Sequence, residues 1–533
     1  MHGYLGVATS SASANQQQFA GSRNRADVLE SIFSDGFQYS RRLNAHTSCI
    51  NALTFSNGEG QFLASGGDDL KICLWDFYQE DVNEPIGSLV GPRGNILKLT
   101  FSASNQYLFS GGIDNTIFQY DVSYLGSSRA QLSSRSPDGT CSWHSDSVRD
   151  ISCRPNQDEV YLSGSEDGSI IRHDLRDSHP SRAQNTLQLK SEVTGVQYHP
   201  HMEYIFLTSD QSGAVCLRDE RMAFGPLSRR SREGIVQVYN TKLTRPGIAH
   251  LSNPEVSSIA FDRDGTRFAV TMLDWYPTIY SVSDLNPIVS CTGQNHPDGS
   301  PVPSGQRSYR NRCTMKHGSF GGPGLDSDEF YAAGSDDFRG YVWRLPPTSE
   351  LVSQRREFSP TDWQTQDNQG SEITGFTSAV REKMYIPVAL STPLCRLTGH
   401  NSIVNTAVFH PHFLHILTSG VERRVVLHSP TPSSPCTQNL VPSPTEVREL
   451  DSDGTLDRIT YNHALLGAFT TVGETESELS DDWPERRTIS MFDHILREEG
   501  SPDVFAVRRW VDSDHSSSDE VSDSGSDDDD MEI

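Results

Sequence analysis

Basic charge is scarce in this chain, and lysine is scarcer still. Only 44 residues are Lys or Arg against 70 Asp or Glu, for a formal net charge of −26. Such a balance disfavours a nucleic-acid binder of the phosphate-neutralising kind, which needs a concentrated basic face. Six of the basic residues are lysines (Lys71, Lys98, Lys190, Lys242, Lys316, Lys383), and none lies beyond position 383. No segment approaches the roughly 18 consecutive apolar residues of a membrane span. The N-terminal MHGYLGVATSSASANQQQ lacks the basic stretch and apolar core of a secretory signal. The expectation is a soluble intracellular protein, nuclear or cytoplasmic, with neither nucleic acid nor membrane as a direct partner. The nine cysteines include no C-x-x-C pair, and Cys73, Cys153 and Cys216 fall in apolar strand-like runs. Buried reduced thiols are expected, not disulfides.

Catalytic signatures are missing too. The patterns G-x-x-x-x-G-K-[ST], G-x-S-x-G and H-E-x-x-H do not occur. The Gly-rich GSFGGPGL (318–325) lacks the Lys and Ser/Thr that hold phosphate and metal, and reads as a turn. The histidine-rich YHPH (198–201) and FHPHFLH (409–415) follow strand-ending aromatics with no cysteine or acidic ligand set beside them, so they also read as turns. No enzyme, cofactor or metal site is expected.

What is present is a repeat. RRLNAHTSCINALTF (41–55) matches CRLTGHNSIVNTAVF (395–409) in its Arg-Leu pair, its His and an alternating apolar strand ending in Phe. The same spacing finds further units beginning at 96, 144, 193, 256 and 313, which makes seven. Each reads as strand, turn, strand, Gly/Asp turn, strand, with period-two alternation such as Ile72 and Leu74 on one face. These units resemble the WD-repeat family, whose repeats are four-stranded propeller blades. The resemblance implies an all-β fold: a seven-bladed WD40-type β-propeller over 37–432, with short flanking helices and disordered termini. The clearest copy, LASGGDDLKICLWD, carries Ser65, Asp69 and Trp75, with His46 upstream. In the family these residue types form a hydrogen-bonded tetrad that satisfies buried polar groups, which implies that role for His46, Ser65, Asp69 and Trp75. Other copies are worn. The third keeps His144, Ser163 and Asp167 but has His173 at the Trp position, and the seventh has His400, Thr418, Glu422 and His428.

Insertions are expected at 124–140, 225–248, 286–310 and 347–392. FQYSRRL (37–43) is placed to supply the outer strand of the last blade and remove an open edge. Residues 1–25 are Ser/Gln-rich and expected to be disordered. Over 26–36, Leu29, Ile32 and Phe33 fall at i, i+3, i+4 of a short amphipathic helix, either packed on the rim or free to dock a partner. A polar linker is expected over 433–487, then a helix and flanking segment over 488–510 that opens at Ser490 in a pattern close to a capping box. An acidic tail occupies 511–533, and its residues 512–533 hold ten acidic side chains and no Lys or Arg. Ser516, Ser517, Ser524 and Ser526 each precede an acidic residue by three, a pattern favoured by acid-directed kinases. A purely solubilising tail is the alternative.

Two consecutive units end alike, His173-Asp174-Leu175-Arg176 and Arg218-Asp219-Glu220-Arg221. One copy is a strand-end Asp beside a surface Arg, worth little. Two copies in neighbouring blades put two arginines on one rim, and arginine is enriched at interface hot spots. Paired W-D-x-R endings resemble the DWD box of substrate receptors of cullin-four RING ubiquitin ligases. The stretches CINALTFSNGEGQFLASGGDD, CTMKHGSF, GSDDFRGYVWRLP, LTGHNSIVN, TSGVERRVVLHSP and MFDHILREE are similar, in that order, to a member of that family over roughly 37–500. The resemblance implies docking through Asp174, Arg176, Asp219 and Arg221 on the ligase's large damaged-DNA-binding adaptor. A protein substrate would be held elsewhere and ubiquitinated by proximity. The family's two Trp are His173 and Arg218 here. A tail without lysine suits a receptor beside a ubiquitin-charged enzyme, though a general bias toward Arg explains it as well. The competing expectation is a scaffold of another nuclear or chromatin assembly, whose acidic tail binds basic proteins.

Overall fold

Period-two alternation produces short antiparallel strands, and among the described residues these assemble into eight small sheets. The computed structural model describes residues 25–126, 134–248, 250–303, 305–366, 373–450, 454–467, 483–500 and 503–505. The N-terminal segment expected to be disordered and the acidic tail with Ser516, Ser517, Ser524 and Ser526 lie outside them, residue 25 apart.

Seven sheets follow the repeats. Sheet one consists of Ile50–Phe55, Phe62–Gly67, Ile72–Asp76 and Gly87–Leu89, and sheet two of Ile96–Phe101, Tyr107–Gly112, Ile117–Asp121 and Gly139–Cys141. Sheet three consists of Val148–Cys153, Val160–Ser165, Ser169–Asp174 and Thr186–Gln188, and sheet four of Val193–Tyr198, Ile205–Asp210, Val215–Asp219 and Ile235–Val238. Sheet five (Val256–Phe261, Arg267–Met272, Thr278–Ser281, Pro287–Cys291) takes Val388–Leu390 as a parallel fifth strand. Sheet six is Ser319–Gly321, Phe330–Gly334, Gly340–Arg344 and Cys395–Leu397. Sheet seven (Val404–Phe409, Ile416–Gly420, Arg424–Ser429) is closed by the N-terminal strand Tyr39–Asn44, paired along its whole length with Arg424–Ser429. The first strands meet in circular order, and sheet seven returns to sheet one. This is an all-β propeller built from the repeats.

Apolar residues fill wedges between adjacent sheets: Leu74, Ile96 and Tyr120 between one and two, Ile279, Tyr331 and Trp343 between five and six, and Leu63, Trp75 and Leu427 between seven and one. The repeated Ser-Gly has a steric cause. A Cβ on Gly67 would lie 1.8 Å from the Cys49 carbonyl oxygen, and one on Gly420 1.9 Å from that of Ile403. Both glycines face a register shift at the start of a first strand, and at these two positions the facing carbonyl comes too close for a side chain.

Four expectations need correction. The segments at 225–248, 286–310 and 347–392 are not simple excursions, because they contain the outer strands Ile235–Val238, Pro287–Cys291 and Val388–Leu390, while 124–140 runs into Gly139–Cys141. Three of these strands are half-buried or exposed, so they lack a clean alternation of buried and exposed residues. The "linker" 433–487 holds Val441–Pro442, which extends sheet seven, and a helix, Thr455–Gly467, packed on the helix Trp483–Glu498. Ser490 lies inside that second helix and donates to Asp457 instead of capping an end. Finally, the face bearing Leu29, Ile32 and Phe33 on the helix over 25–34 is not open for docking. Leu29 and Phe33 are buried, Ile32 packs in part against the same cluster, and the Phe33 ring centroid lies 5.0 Å from that of Phe330. Phe33→Ala is therefore expected to cost about 3–5 kcal/mol of stability in urea unfolding.

All nine cysteines are free. Among the described residues no helix is long and apolar enough to cross a membrane.

Candidate functional site

The turns between first and second strands touch one another around the ring and define one face. Asn57 receives a bond from the Asn105 amide, Ser102 bonds Asp158, Arg154 reaches Glu203 at 3.8 Å, and Arg263 pairs with Asp328 at 3.0 Å. The His-Pro turns belong to this set. His199 Nδ1 accepts from the backbone N–H groups of His201 and Met202, and His410 Nδ1 from those of His412 and Phe413. These histidines shape turns. No group of three or more His, Cys, Asp or Glu is arranged to hold a metal among the described residues.

The third strands end on the same face, and two adjacent ones carry the Asp-x-Arg pairs. Arg176 donates from Nε to Asp174 Oδ1 at 2.9 Å and from Nη2 to Oδ2 at 2.9 Å. Arg221 repeats the arrangement on Asp219, at 3.0 Å and 2.6 Å. In both, the Asp also accepts the Arg's own backbone N–H, which closes a small turn. The arginine hydrogen bonds hold both carboxyls below the usual carboxylate range. The carboxylates are 16% and 10% exposed, whereas the guanidinium side chains are 54% and 66% exposed. Each Asp thus fixes one edge of a planar fork and leaves its remaining donors in solvent. Exposed apolar groups surround them: Leu175, Met202 and Tyr204, with the Arg221 guanidinium 5.2 Å from the Tyr204 ring centroid.

Beneath the forks lies a residue that motif reading passed over. Glu220, between Asp219 and Arg221, is buried and binds three partners from sheets three and four. Arg172 Nε donates to its Oε1 at 2.7 Å, the Tyr198 hydroxyl to its Oε2 at 2.6 Å, and Arg154 also to Oε2. Arg154 and Arg172 come from sheet three, so Glu220 clamps that sheet to sheet four between the two forks. The only local signal was an acid at the variable position of the second box.

The lost tryptophans are replaced by working substitutes. In sheet one the tetrad is complete: His46 Nε2 lies 2.8 Å from Ser65 Oγ, His46 Nδ1 3.0 Å from Asp69, and Trp75 Nε1 donates to Ser65 at 2.9 Å. In sheet three His173 Nε2 stands 2.8 Å from Ser163 Oγ, and in sheet seven His428 Nε2 stands 2.7 Å from Thr418 Oγ1. In sheet four Arg218 Nε donates to Thr208 Oγ1 at 3.0 Å. Every substitute sits ten residues after its hydroxyl partner, as Trp75 sits after Ser65. Sheet six has the reverse defect: Trp343 remains, its Nε1 has no partner among the described residues, and its strand partner is Tyr331.

The exchange of Trp for His carries a pH dependence. Burial, with the nearby His144, pushes the His173 imidazole down to about 3; burial and His400 do the same to His428. In the unfolded chain both take a proton below about 6.5, which the folded state refuses. Their contribution is therefore full above about pH 6.5 and is lost progressively as pH falls toward 3. For His46, burial opposes the charge but Asp69 outweighs it and raises the ring to about 9, so its contribution is lost at the alkaline end. Replacing His173 and His428 by Trp is expected to shrink the fall in Tm between about pH 7 and about pH 5.

The comparisons with known proteins fit this geometry. The family model described as WD domain, G-beta repeat, matches residues 37–76, 83–121, 135–174 and 391–429. These are sheets one, two, three and seven, and include all three sheets with a His-centred tetrad. The chain thus carries WD repeats. Over 472 residues, 86% of its length, it is 27% identical to DDB1- and CUL4-associated factor 5 of Homo sapiens and to that of Mus musculus. Protein ALTERED SEED GERMINATION 2 of Arabidopsis thaliana is 29% identical over 140 residues, 26% of this chain and 18% of that protein. The chain spans about two fifths of the length of the two mammalian relatives, 41% and 40%.

Proposed function

We propose that this chain is a non-catalytic receptor that docks on the DDB1 adaptor of a CUL4 ubiquitin ligase and presents a protein for ubiquitination. On this reading the ring of seven sheets is a seven-bladed propeller over 37–432, and the rim of sheets three and four is the docking surface. The observation that carries it is the pair of Asp-braced, solvent-facing guanidinium forks, Arg176 on Asp174 and Arg221 on Asp219, beside exposed Leu175, Met202 and Tyr204. Arginine and tyrosine are the residue types that dominate interface energetics, and pre-ordering by Asp removes part of their entropic cost on binding. The name of the two mammalian relatives, DDB1- and CUL4-associated factor 5, supports DDB1 as the adaptor. Ubiquitin transfer then depends on proximity, and no chemistry is asked of the propeller.

Hydrogen–deuterium exchange with and without purified DDB1 tests the surface. Protection is expected in the segments around 174–176, 202–204 and 219–221. Protection confined to the opposite face would overturn the assignment.

A further inference from the structure

Outside the seven repeat sheets the chain builds an eighth, from Lys242–Thr244, Gly375–Thr377, Met384–Ile386 and Arg356–Phe358. Every strand of it comes from the segments inserted between repeats, so closing the ring does not account for it. Between this sheet and sheet five lies a cleft of about 450 Å3, within the range of ligand pockets. Its near wall carries Trp275 and Tyr276, from the turn between the second and third strands of sheet five. That turn is at the end of the sheet opposite the first turns, so the cleft faces away from the Arg176 and Arg221 rim.

Three features of the cleft point to one ligand chemistry. Its walls are aromatic: the Trp275 ring centroid lies 5.2 Å from that of Tyr276 and 6.1 Å from that of Phe376, and Tyr276 lies 6.3 Å from Tyr309. Its polar groups await partners. Trp275 Nε1, Thr292 Oγ1, Tyr309 OH and Asn311 Oδ1 are buried with no hydrogen bond among the described residues, and the first three can donate. Its charge is the reverse of the protein's. Among the described residues Arg245, Arg310 and Arg356 line it, and the lining carboxylate, that of Asp274, has Arg312 3.5 Å away, in a chain of net charge −26.

The chain's own segment Asp503-Val504-Phe505 shows how a peptide sits at the cleft's edge. Arg245 lies 3.7 Å from the Asp503 carboxylate and 4.5 Å from the centroid of the Phe505 ring. Ser252 donates to the Val504 carbonyl, and His250 Nε2 lies 3.3 Å from that of Phe505. One arginine thus reads an acid and an aromatic two residues apart, while the Ser252 and His250 side chains hold the carbonyls of the segment. The rest of the cleft, with Arg310, Arg356 and the unpartnered donors, offers the same chemistry and is not filled by any of the described residues.

We propose that this cleft binds an acidic, aromatic-bearing peptide segment of the protein being presented, with Arg310 and Arg356 reading its carboxylates and Trp275, Tyr276 and Tyr309 enclosing its apolar side chain. The proposal rests on the receptor reading, but its test needs no adaptor, so the two can fail separately. The probe is a fluorescein-labelled Glu-Glu-Phe-Glu-Glu peptide, followed by polarisation on the full chain at about 0.1 M salt. Saturable binding is expected, at least about 10-fold weaker for the Gln-Gln-Phe-Gln-Gln counterpart and weaker as salt rises. Arg310→Gln and Arg356→Gln, each checked for an unchanged Tm, should each weaken the Glu peptide at least about 5-fold. Arg356→Lys should restore most of the affinity, and Arg176→Ala with Arg221→Ala should leave it unchanged. Absence of saturable binding, equal binding of the Gln peptide, or full affinity in both Arg→Gln variants would overturn the proposal. Loss of DDB1 binding by a chain that still takes the peptide would count against the docking reading alone.

Discussion

Replacing Arg176 and Arg221 together by alanine is expected to abolish co-purification of DDB1 with the chain while leaving the fold intact. Both side chains are more than half exposed and among the described residues hydrogen-bond only the Asp two residues earlier, with Arg221 also over the exposed Tyr204 ring, so their removal opens no cavity and strands no buried donor. Thermal unfolding should therefore change little. At an interface core, truncation of an arginine hot spot weakens binding at least about 30-fold, and two in one patch should take the complex below pull-down detection. Asp174→Asn with Asp219→Asn gives a graded intermediate. The guanidiniums remain but lose the carboxylates that orient them, so affinity should fall less than in the alanine pair. If the alanine pair retained wild-type capture, these forks would have no part in docking.

Glu220→Ala is expected to cost about 3–5 kcal/mol of stability, measured by urea unfolding, and to weaken DDB1 capture as well. The Arg154 side chain is 4% exposed, and its other carboxylate, that of Glu203, stands off at 3.8 Å. Removing Glu220 leaves a cation in the wall between sheets three and four with no close counter-charge. It also takes the acceptors from Arg172 and the Tyr198 hydroxyl. Loss of a buried pair's partner is among the most damaging single changes because the stranded charge keeps its desolvation cost. Because Glu220 sits between the two forks, slackening this wall also misplaces one arginine relative to the other. A change below about 1 kcal/mol would mean that water replaces the clamp without loss.

The difference between what could be read from the primary structure and what could not is a matter of range. His46, Ser65, Asp69 and Trp75 recur at fixed spacings, so the repeat, its tetrad and the closing strand Tyr39–Asn44 were all legible. The Asp-x-Arg pairs were legible because each is a bond across two residues. Glu220 was not, since an acid beside a strand end reads as surface until Arg154, 66 residues away, and Arg172, 48 away, are known to converge on it. His173 was legible as an internal ring whose polar atoms could still serve the tetrad, and its nitrogen does bond Ser163; Arg218 looked like a lost tryptophan, and the geometry places its guanidinium on the Thr208 hydroxyl. Ser490 misled for a local reason. A serine followed three residues later by Asp493 imitates a helix start, but the helix begins at Trp483, where Glu485 meets Arg423 and Arg424, and Asp493 instead pairs with Arg448. The eighth sheet has no sequence signature at all, because its four strands are scattered through three separate stretches of the chain.

The most direct test of the central claim is a calorimetric titration of the purified chain with purified DDB1. A saturable one-to-one complex, lost in the Arg176→Ala, Arg221→Ala double variant, is the predicted result. Absence of binding by the unaltered chain at micromolar concentrations would contradict the receptor account and favour a scaffold of some other assembly.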